Sequence, residues 1–489
     1  MSNFNIIFLL ILNIFSVQNE KLIFVETLCR HGARAPLKLN EKGQDLLGVK
    51  WPFPGELTPI GKRMGYLLGL FNRHRYITGK YKFLSEKFDP HELVVFSSDA
   101  NRTLLSIASQ LQGLYPVSKE NGDKLDRSQY NISVPPFNLT YDQINDDLKE
   151  LNDSALPNYM TIIPIHFIVL KNTTAECAKK IKDFNIQNSK NKKTVFNFTE
   201  EFNKNYSEKL NTFHGNPKDS LYNFSSINEI FDTLIVDTTE GNNISEFFEF
   251  NNIDKDSFIE KMYYVLTIYF RDYMFGDDDN EVILFYNSLI IKDMINYMKK
   301  KIEDDINGYP SLNNPSDYSR PKMVMLSGHD TTISAQEMFF IRFFDLGLDK
   351  YEYPVYTSQI SYELTRDDDD IINKKKQINE LNYSDYKVSY YLNNKLIMNI
   401  TFDKFVERIE KVLWKPEQMD KFCFGDKNDD ENDIDANLII IISMGFIIFI
   451  LSIFLIILII KLKNKKDDDI IDDKKGTDNR LINDEKEEE

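Results

Sequence analysis

Three times along the chain a short apolar run of strand length stops abruptly at a polar motif and gives way to helical spacing. Lys21 to Cys29 ends at RHGAR (30–34), Leu93 to Phe96 at SSDANR (97–102), and Lys322 to Leu326 at SGHDTT (327–332). Near-continuous apolar strands must be covered on both faces, and helices do this in an α/β sheet. The recurrence predicts an α/β fold with ligand groups at the carboxyl ends of its strands. After Pro59, Met64, Leu67, Leu68 and Phe71 have the spacing of an amphipathic helix packed on a sheet, as do Leu104, Ile107, Ala108 and Leu111 within 103–113. Helix is also expected from Ser334 to Phe344.

Further along, Val355 to Leu364 and Tyr386 to Leu392 read as paired strands around a charged insertion containing Asp367–Asp370 and Lys374–Lys376. Asn393 and Asn394 make a tight turn, and Phe402 to Leu413 is a closing amphipathic helix. The middle differs, being rich in Asn, Lys, Phe and Ser, with helical stretches such as Phe258–Phe270 and Tyr286–Ile302. The organisation expected is an α/β core of residues 20–170 and 311–424 with a mainly helical lobe, 171–310, inserted into it.

Both termini carry membrane signals. Ile6 to Phe15 is too short to span a bilayer but suits the apolar region of a signal peptide, 1–19. Leu438 to Ile460 gives 23 uncharged residues, the length of a single transmembrane helix, followed by Lys461, Lys463, Lys465 and Lys466. Residues 425–437 then form an acidic linker, 461–489 a disordered cytosolic tail, and the rest faces a lumen or the exterior. The expected location is a single-pass type I protein of the lysosome, another endomembrane lumen or the cell surface, with the bilayer as a partner. Sequons at Asn131, Asn138, Asn152, Asn172, Asn197, Asn205, Asn223, Asn243, Asn382 and Asn399 agree with that topology, whereas Asn101 borders the charged motif and is a poor glycan acceptor. A net charge of −17 argues against nucleic acid as a partner. The cysteines are Cys29, inside an apolar strand, Cys177 and Cys423, so one disulfide between Cys177 and Cys423 is expected and a Cys-rich metal site is excluded.

Four predicted strand ends carry Arg30, His31 and Arg34; Arg102; His166, closing the segment Pro164–His166; and His329 with Asp330. Converging guanidinium groups suit a phosphoryl group, whose oxygens share the charge of in-line transfer. Imidazole supplies a nucleophile that is largely neutral near its pKa of about 6.5, and a carboxyl group can protonate a departing alkoxide. A His beside an Arg is more often structural than catalytic. With only six histidines in the chain and two of them in polar motifs after predicted strands, the residues leave both readings open.

RHGARAP (30–36) resembles the RHGxRxP signature of the histidine acid phosphatases, a branch of the phosphoglycerate-mutase-like superfamily. WPFPGELTPIGKRMGYLLGLFNRHRY (51–76), VVFSSDANRTLLSIASQLQGLYP (94–116) and LSGHDTTISA (326–335) are similar to that family's later segments, in order. The resemblance implies a mixed central sheet flanked by helices with a smaller helical domain over the site. It implies His31 as the nucleophile that becomes phosphohistidine, Asp330 as proton donor, and Arg30, Arg34, Arg102 and His329 as phosphate contacts. Neither metal nor cofactor is expected, and the partners are small phosphate monoesters, with a homodimer left open. The activity implied is acid phosphatase. A narrower phosphatase of the same fold, for phytate or lysophosphatidate, is the alternative, and a catalytically silent membrane-tethered binding protein the third reading.

Overall fold

The computed structural model describes residues 20–424 apart from 134, 136–150, 152, 168–191, 215–216, 218, 251, 276–279, 309–318, 348–350 and 369–375. Residues 1–423 form one unit, and 424–489 a second of which only Phe424 is described. The strands are β1 (Glu20–Arg30), β2 (Leu93–Ser97), β3 (His166–Phe167), β4 (Met323–Gly328), β5 (Gln359–Asp367), β6 (Tyr386–Leu392) and β7 (Lys395–Thr401). They form one mixed sheet in the order β3-β2-β4-β1-β5-β6-β7. The pairs β1–β4, β2–β4 and β2–β3 are parallel, while β5, β6 and β7 continue from β1 in antiparallel fashion. Asn393 and Asn394, with φ of 46° and 66°, supply the left-handed turn between β6 and β7.

Register sets the site. Arg30 of β1 lies opposite Gly328 of β4, and Ser97 of β2 opposite Ser327, so three parallel strands end flush and release their polar motifs along one edge. Because β5 is antiparallel, its entry segment meets the same edge, where the Arg30 N–H donates to Ser358 O at 2.9 Å and the Thr357 N–H to His31 O at 3.2 Å.

Helices α1 (Pro59–Arg73) and α2 (Asn101–Leu114) follow the first two polar motifs, and α8 (Asp330–Phe343) the third. The apolar face expected of α1 is buried only in part, with Met64 and Leu68 packed against the core. Leu67 is 51% and Phe71 36% exposed, while Gly61, Gly65, Gly69 and Asn72 are buried. The helix makes its closest approach through backbone: a Cβ added at Gly69 would lie 1.9 Å from Gln110 O of α2. Likewise a Cβ on Gly32 of the RHG motif would lie 2.3 Å from Gly61 O, so that glycine lets the start of α1 seat against the loop after β1. Gly69→Ala is therefore expected to destabilise the protein by about 1–3 kcal/mol through overpacking against rigid backbone. Leu67→Ala should stay within about 0.5 kcal/mol. Urea midpoints check both, and the reverse order would restore the amphipathic reading. The RHRY at the end of α1 is structural, with Arg75 Nε 2.6 Å from the fully buried Glu363 of β5 and the Tyr76 hydroxyl donating to the same carboxylate at 2.9 Å.

The intervening helices are α3 (Lys192–His214), α4 (Phe224–Glu240), α5 (Ser245–Phe250), α6 (Lys255–Ile268) and α7 (Glu281–Asn307). Phe202, Phe231, Phe248 and Phe258 make the aromatic core of the lobe. The last helix, α7, packs Ile291, Met294 and Met298 into the core shared with Phe24 and Leu28 of β1. Helices α9 (Phe402–Glu410) and α10 (Pro416–Phe424) pack into the same core.

The expected membrane-spanning helix is corrected: among the described residues no helix is long and apolar enough to cross a membrane. The longest, α7, carries Lys292, Asp293 and Lys299–Lys301 and buries its apolar side in the protein. Residues 438–460, on which the expectation rested, lie outside the described residues, as do 1–19, 425–437 and 461–489. The single-pass topology, the bilayer partner and the type I location are withdrawn. The disulfide is not carried forward either, because no disulfide joins two described residues. Cys29 is a free thiol that burial pushes up to about 12, and Cys423 is not free, but Cys177 lies outside the described residues. Among the sequons, Asn197, Asn205, Asn223, Asn243, Asn382 and Asn399 are exposed, whereas Asn138, Asn152 and Asn172 lie outside the described residues.

Candidate active site

At the flush strand ends the structure brings together Arg30, His31, Arg34, Arg102, His329 and Asp330. Arg30 and His31 continue β1 and are each 2% exposed. The His31 N–H donates to Gly328 O at 3.0 Å, which ties the loop after β1 to the end of β4. Its ring Nδ1 lies 2.8 Å from Gly32 O. A carbonyl oxygen only accepts, so Nδ1 carries the proton and Nε2 keeps a free lone pair. Burial, followed by the Arg30 charge, holds the His31 pKa far below that of an ordinary imidazole. Both effects favour the neutral ring.

Three guanidinium groups surround this imidazole in different states. Arg30 sits over the rings of Tyr356 and Tyr353, at 4.5 and 5.2 Å, donates to Pro354 O at 2.7 Å and pairs with Asp330 Oδ2 at 3.0 Å. Arg34 grips Asp232 of α4 in a two-point pair at 2.7 and 3.1 Å. Arg102 has no carboxylate within ion-pair distance among the described residues, and its Nη2 lies 3.4 Å from His329 Nδ1. The Nε of Arg30 and of Arg102 are both buried without a protein partner. Three cations against Asp330 and Asp232 leave one net positive charge beside a neutral imidazole, which suits a phosphate anion.

His329 caps α8, and its ring stands edge-on to that of His31 with centroids 5.6 Å apart. Ser98 Oγ lies 3.0 Å from its Nε2 and is itself held 2.9 Å from Thr103 Oγ1. Burial and the neighbouring Arg102 lower the His329 pKa to about 4. Asp330 is the first residue of α8, where its Oδ2 accepts the Tyr353 hydroxyl at 3.0 Å. Burial alone would raise its pKa, but the Arg30 charge, with that of Arg34 behind it, outweighs burial and holds the carboxyl below the usual range. The arrangement can therefore offer a neutral nitrogen nucleophile, a cationic cradle and a carboxyl group on a half-buried helix start. Among the described residues no group of three or more His, Cys, Asp or Glu is placed to hold a metal ion.

His166 does not join this cluster. It begins the two-residue edge strand β3, exposed, with its ring 5.8 Å from Phe96. The sequence reading missed Asp232, Ser98, Tyr353 and Tyr356. Asn101, set aside as a glycan acceptor, donates to Glu56 Oε1 at 3.0 Å.

The loop between β1 and α1 is fastened to the lobe by two carboxyl groups. Asp45 accepts the N–H groups of Leu47 and Val49 and the Trp51 Nε1–H, each at 2.9 Å, and faces the buried Asp237 of α4. Burial and Asp45 raise the Asp237 pKa to about 7. The unfolded value is about 3.8, so the folded state holds a proton that the unfolded chain releases between these limits. Stability from this group is full below about pH 4 and lost as pH rises through about 7. Asp237→Asn is expected to flatten that decline, gaining a few kcal/mol relative to the wild type at about pH 8 and little at about pH 4, as read from urea denaturation. Parallel pH curves for the two proteins would exclude a shared proton.

Sequence comparisons agree with this geometry. The chain is 32% identical to lysosomal acid phosphatase of Xenopus laevis over 163 residues, 32% of this chain and 35% of that one. It is 34% identical to human prostatic acid phosphatase over 102 residues, 21% of this chain and 25% of the other. The chain thus matches about a third or less of the length of these curated relatives. Among solved structures, a Hafnia alvei phytase in complex with tartrate superimposes with a TM-score of 0.49 at 15% identity, covering 83% of this chain and 98% of that one. The model of a catalytic family matches residues 21–386, which include every residue of the cluster, and this membership supports hydrolase activity. The chain belongs to the histidine phosphatase superfamily, branch 2.

Proposed function

We propose that the chain hydrolyses phosphate monoesters in two steps through a phosphohistidine on His31. The observation that carries this reading is the His31 Nδ1–H to Gly32 carbonyl bond, which leaves Nε2 as a lone pair among Arg30, Arg34 and Arg102. In the first step the Nε2–phosphorus bond forms as the ester oxygen–phosphorus bond breaks, and Asp330 delivers its proton to the departing oxygen. The arginines hold the three equatorial oxygens, and His329, kept upright by Ser98, contacts one of them. In the second step water attacks phosphorus, its proton goes to the Asp330 carboxylate, and the nitrogen–phosphorus bond breaks to release inorganic phosphate. Neutral imidazole and a protonated carboxyl coexist best on the acidic side, so the finer reading is an acid phosphatase. A narrower phosphatase, for phytate or lysophosphatidate, uses the same chemistry and differs only in what the pocket accepts.

Rapid acid or alkaline quench after mixing with a labelled monoester tests this. The expected product is a phosphoenzyme that survives alkali, is lost in acid and maps to His31. An enzyme that turns over normally without that species would require direct attack by water instead.

A further inference from the structure

The monoester reading is assumed here, and the question is what the same site admits. Beside Arg34 and Asp330 opens a cavity of about 280 Å³, walled by α4 and by Tyr269 and Phe270 just after α6. With Asp330 as the proton donor, the alcohol portion of an ester being cleaved faces this cavity, since Asp330 lies on its wall.

The charge on its wall is already matched. Arg34 is held by Asp232, and the Lys38 ammonium is paired with Glu229, three residues earlier on α4. These are the cations on the wall, and they face three carboxylates, Glu229, Asp232 and Asp330. None is left to receive a second phosphate, and an anionic leaving group would approach two lobe carboxylates. What remains is uncharged and mostly apolar or aromatic, with Leu37, Ile235, Leu266, Tyr269 and Phe270 beside the polar Ser225 and Asn228.

We infer that the lobe carboxylates Glu229 and Asp232 make this cavity a charge filter. It admits monoesters with a single phosphate on an uncharged aryl or alkyl alcohol and rejects polyphosphorylated rings such as inositol hexakisphosphate. Like charges act here by excluding the wrong substrate rather than by binding the right one. Glu229 is the cleaner position to test, since its half-exposed side chain contacts Lys38 and none of the clustered residues. Asp232 cannot be changed without releasing Arg34.

The test compares kcat/KM for p-nitrophenyl phosphate, hexyl phosphate and phytate in the full chain and in its Glu229→Gln and Glu229→Lys variants. The wild type should favour both single-phosphate esters over phytate by at least about tenfold, a difference worth about 1.4 kcal/mol. Glu229→Lys should raise the phytate to p-nitrophenyl phosphate ratio about tenfold, Glu229→Gln should raise it less, and both gains should shrink in high salt. Hydrolysis of p-nitrophenyl phosphate itself should stay within about twofold. A wild type that cleaves phytate as efficiently as the aryl ester would overturn the filter while leaving the monoester reading intact. So would ratios that Glu229→Lys does not move. Failure to cleave any of the three would overturn the hydrolase reading and the filter with it.

Discussion

His31→Ala is expected to lower turnover by roughly 10⁴-fold or more, the scale on which a covalent nucleophile is lost. Attack by Nε2 is required whatever the leaving group, so the loss should be equal for aryl and alkyl esters. The phosphoenzyme should vanish with it. Anion binding should survive, because Arg30 and Arg34 are held by Asp330 and Asp232 rather than by the imidazole. Inorganic phosphate should therefore still protect the variant against thermal unfolding. The substitution removes one hydrogen bond and the whole buried imidazole, so a stability loss of a few kcal/mol accompanies it. A folded His31→Ala protein that keeps more than about 1% of wild-type turnover would remove His31 as nucleophile.

Asp330 yields the second large effect, and it separates the leaving groups. A general acid helps most when the departing oxygen is strongly basic, as in glycerol phosphate, and least for p-nitrophenolate. Asp330→Ala should therefore lose roughly 10² to 10⁴-fold in phosphorylation rate on alkyl esters and distinctly less on p-nitrophenyl phosphate. The structure complicates the Ala variant, since Asp330 is also the carboxylate partner of Arg30 at 3.0 Å. Its removal leaves a guanidinium that is 2% exposed with no counter-charge, which costs stability on its own. Asp330→Asn keeps the shape and a hydrogen-bond acceptor, and it should show the same contrast between ester classes with less unfolding.

The pH dependence supplies a further check. In the free site Arg30 and Arg34 hold the Asp330 pKa low although burial pushes it up. A bound phosphate anion competes for Arg30 and so raises the carboxyl back toward a value where it carries a proton. Activity that needs this proton is full below the raised pKa and is lost as pH climbs through it. The wild type should therefore lose alkyl-ester kcat between acid and neutral pH, and Asp330→Asn should show a flatter profile. Equal slowing of both ester classes in single-turnover phosphorylation by a folded variant would leave Asp330 a purely electrostatic role.

Part of this was legible without the fold. The strand ends at RHGAR, SSDANR and SGHDTT are where the sheet releases its loops, because a buried parallel strand is continuously apolar and stops where the polypeptide meets ligand or water. The hairpin through Asn393 and Asn394 was legible for a similarly local reason, since those residues tolerate positive φ. Periodicity misled at α1. It scores apolar side chains, whereas Gly61, Gly65 and Gly69 bury the helix by the absence of side chains, so Leu67 and Phe71 face outward. His166 was misread because a short apolar run ending in a histidine looks like a strand end, while only two residues there pair at the sheet edge.

By itself, then, the sequence determined the order of the motifs, the identity of the nucleophile and proton-donor candidates, and an α/β sheet with those residues at its strand ends. All of these rest on local patterns within a few residues. The tertiary structure alone decided the charge state of the site. Arg34 meets Asp232 across a separation of 198 residues, and Arg30 is stacked on Tyr353 and Tyr356 because β5 runs antiparallel and enters at the edge where β1 leaves. Such contacts are set by how distant segments pack, and neither periodicity nor composition carries a mark of them. The charge left over at Arg102, the proton on Nδ1 of His31 and the anionic wall of the leaving-group cavity follow from that packing.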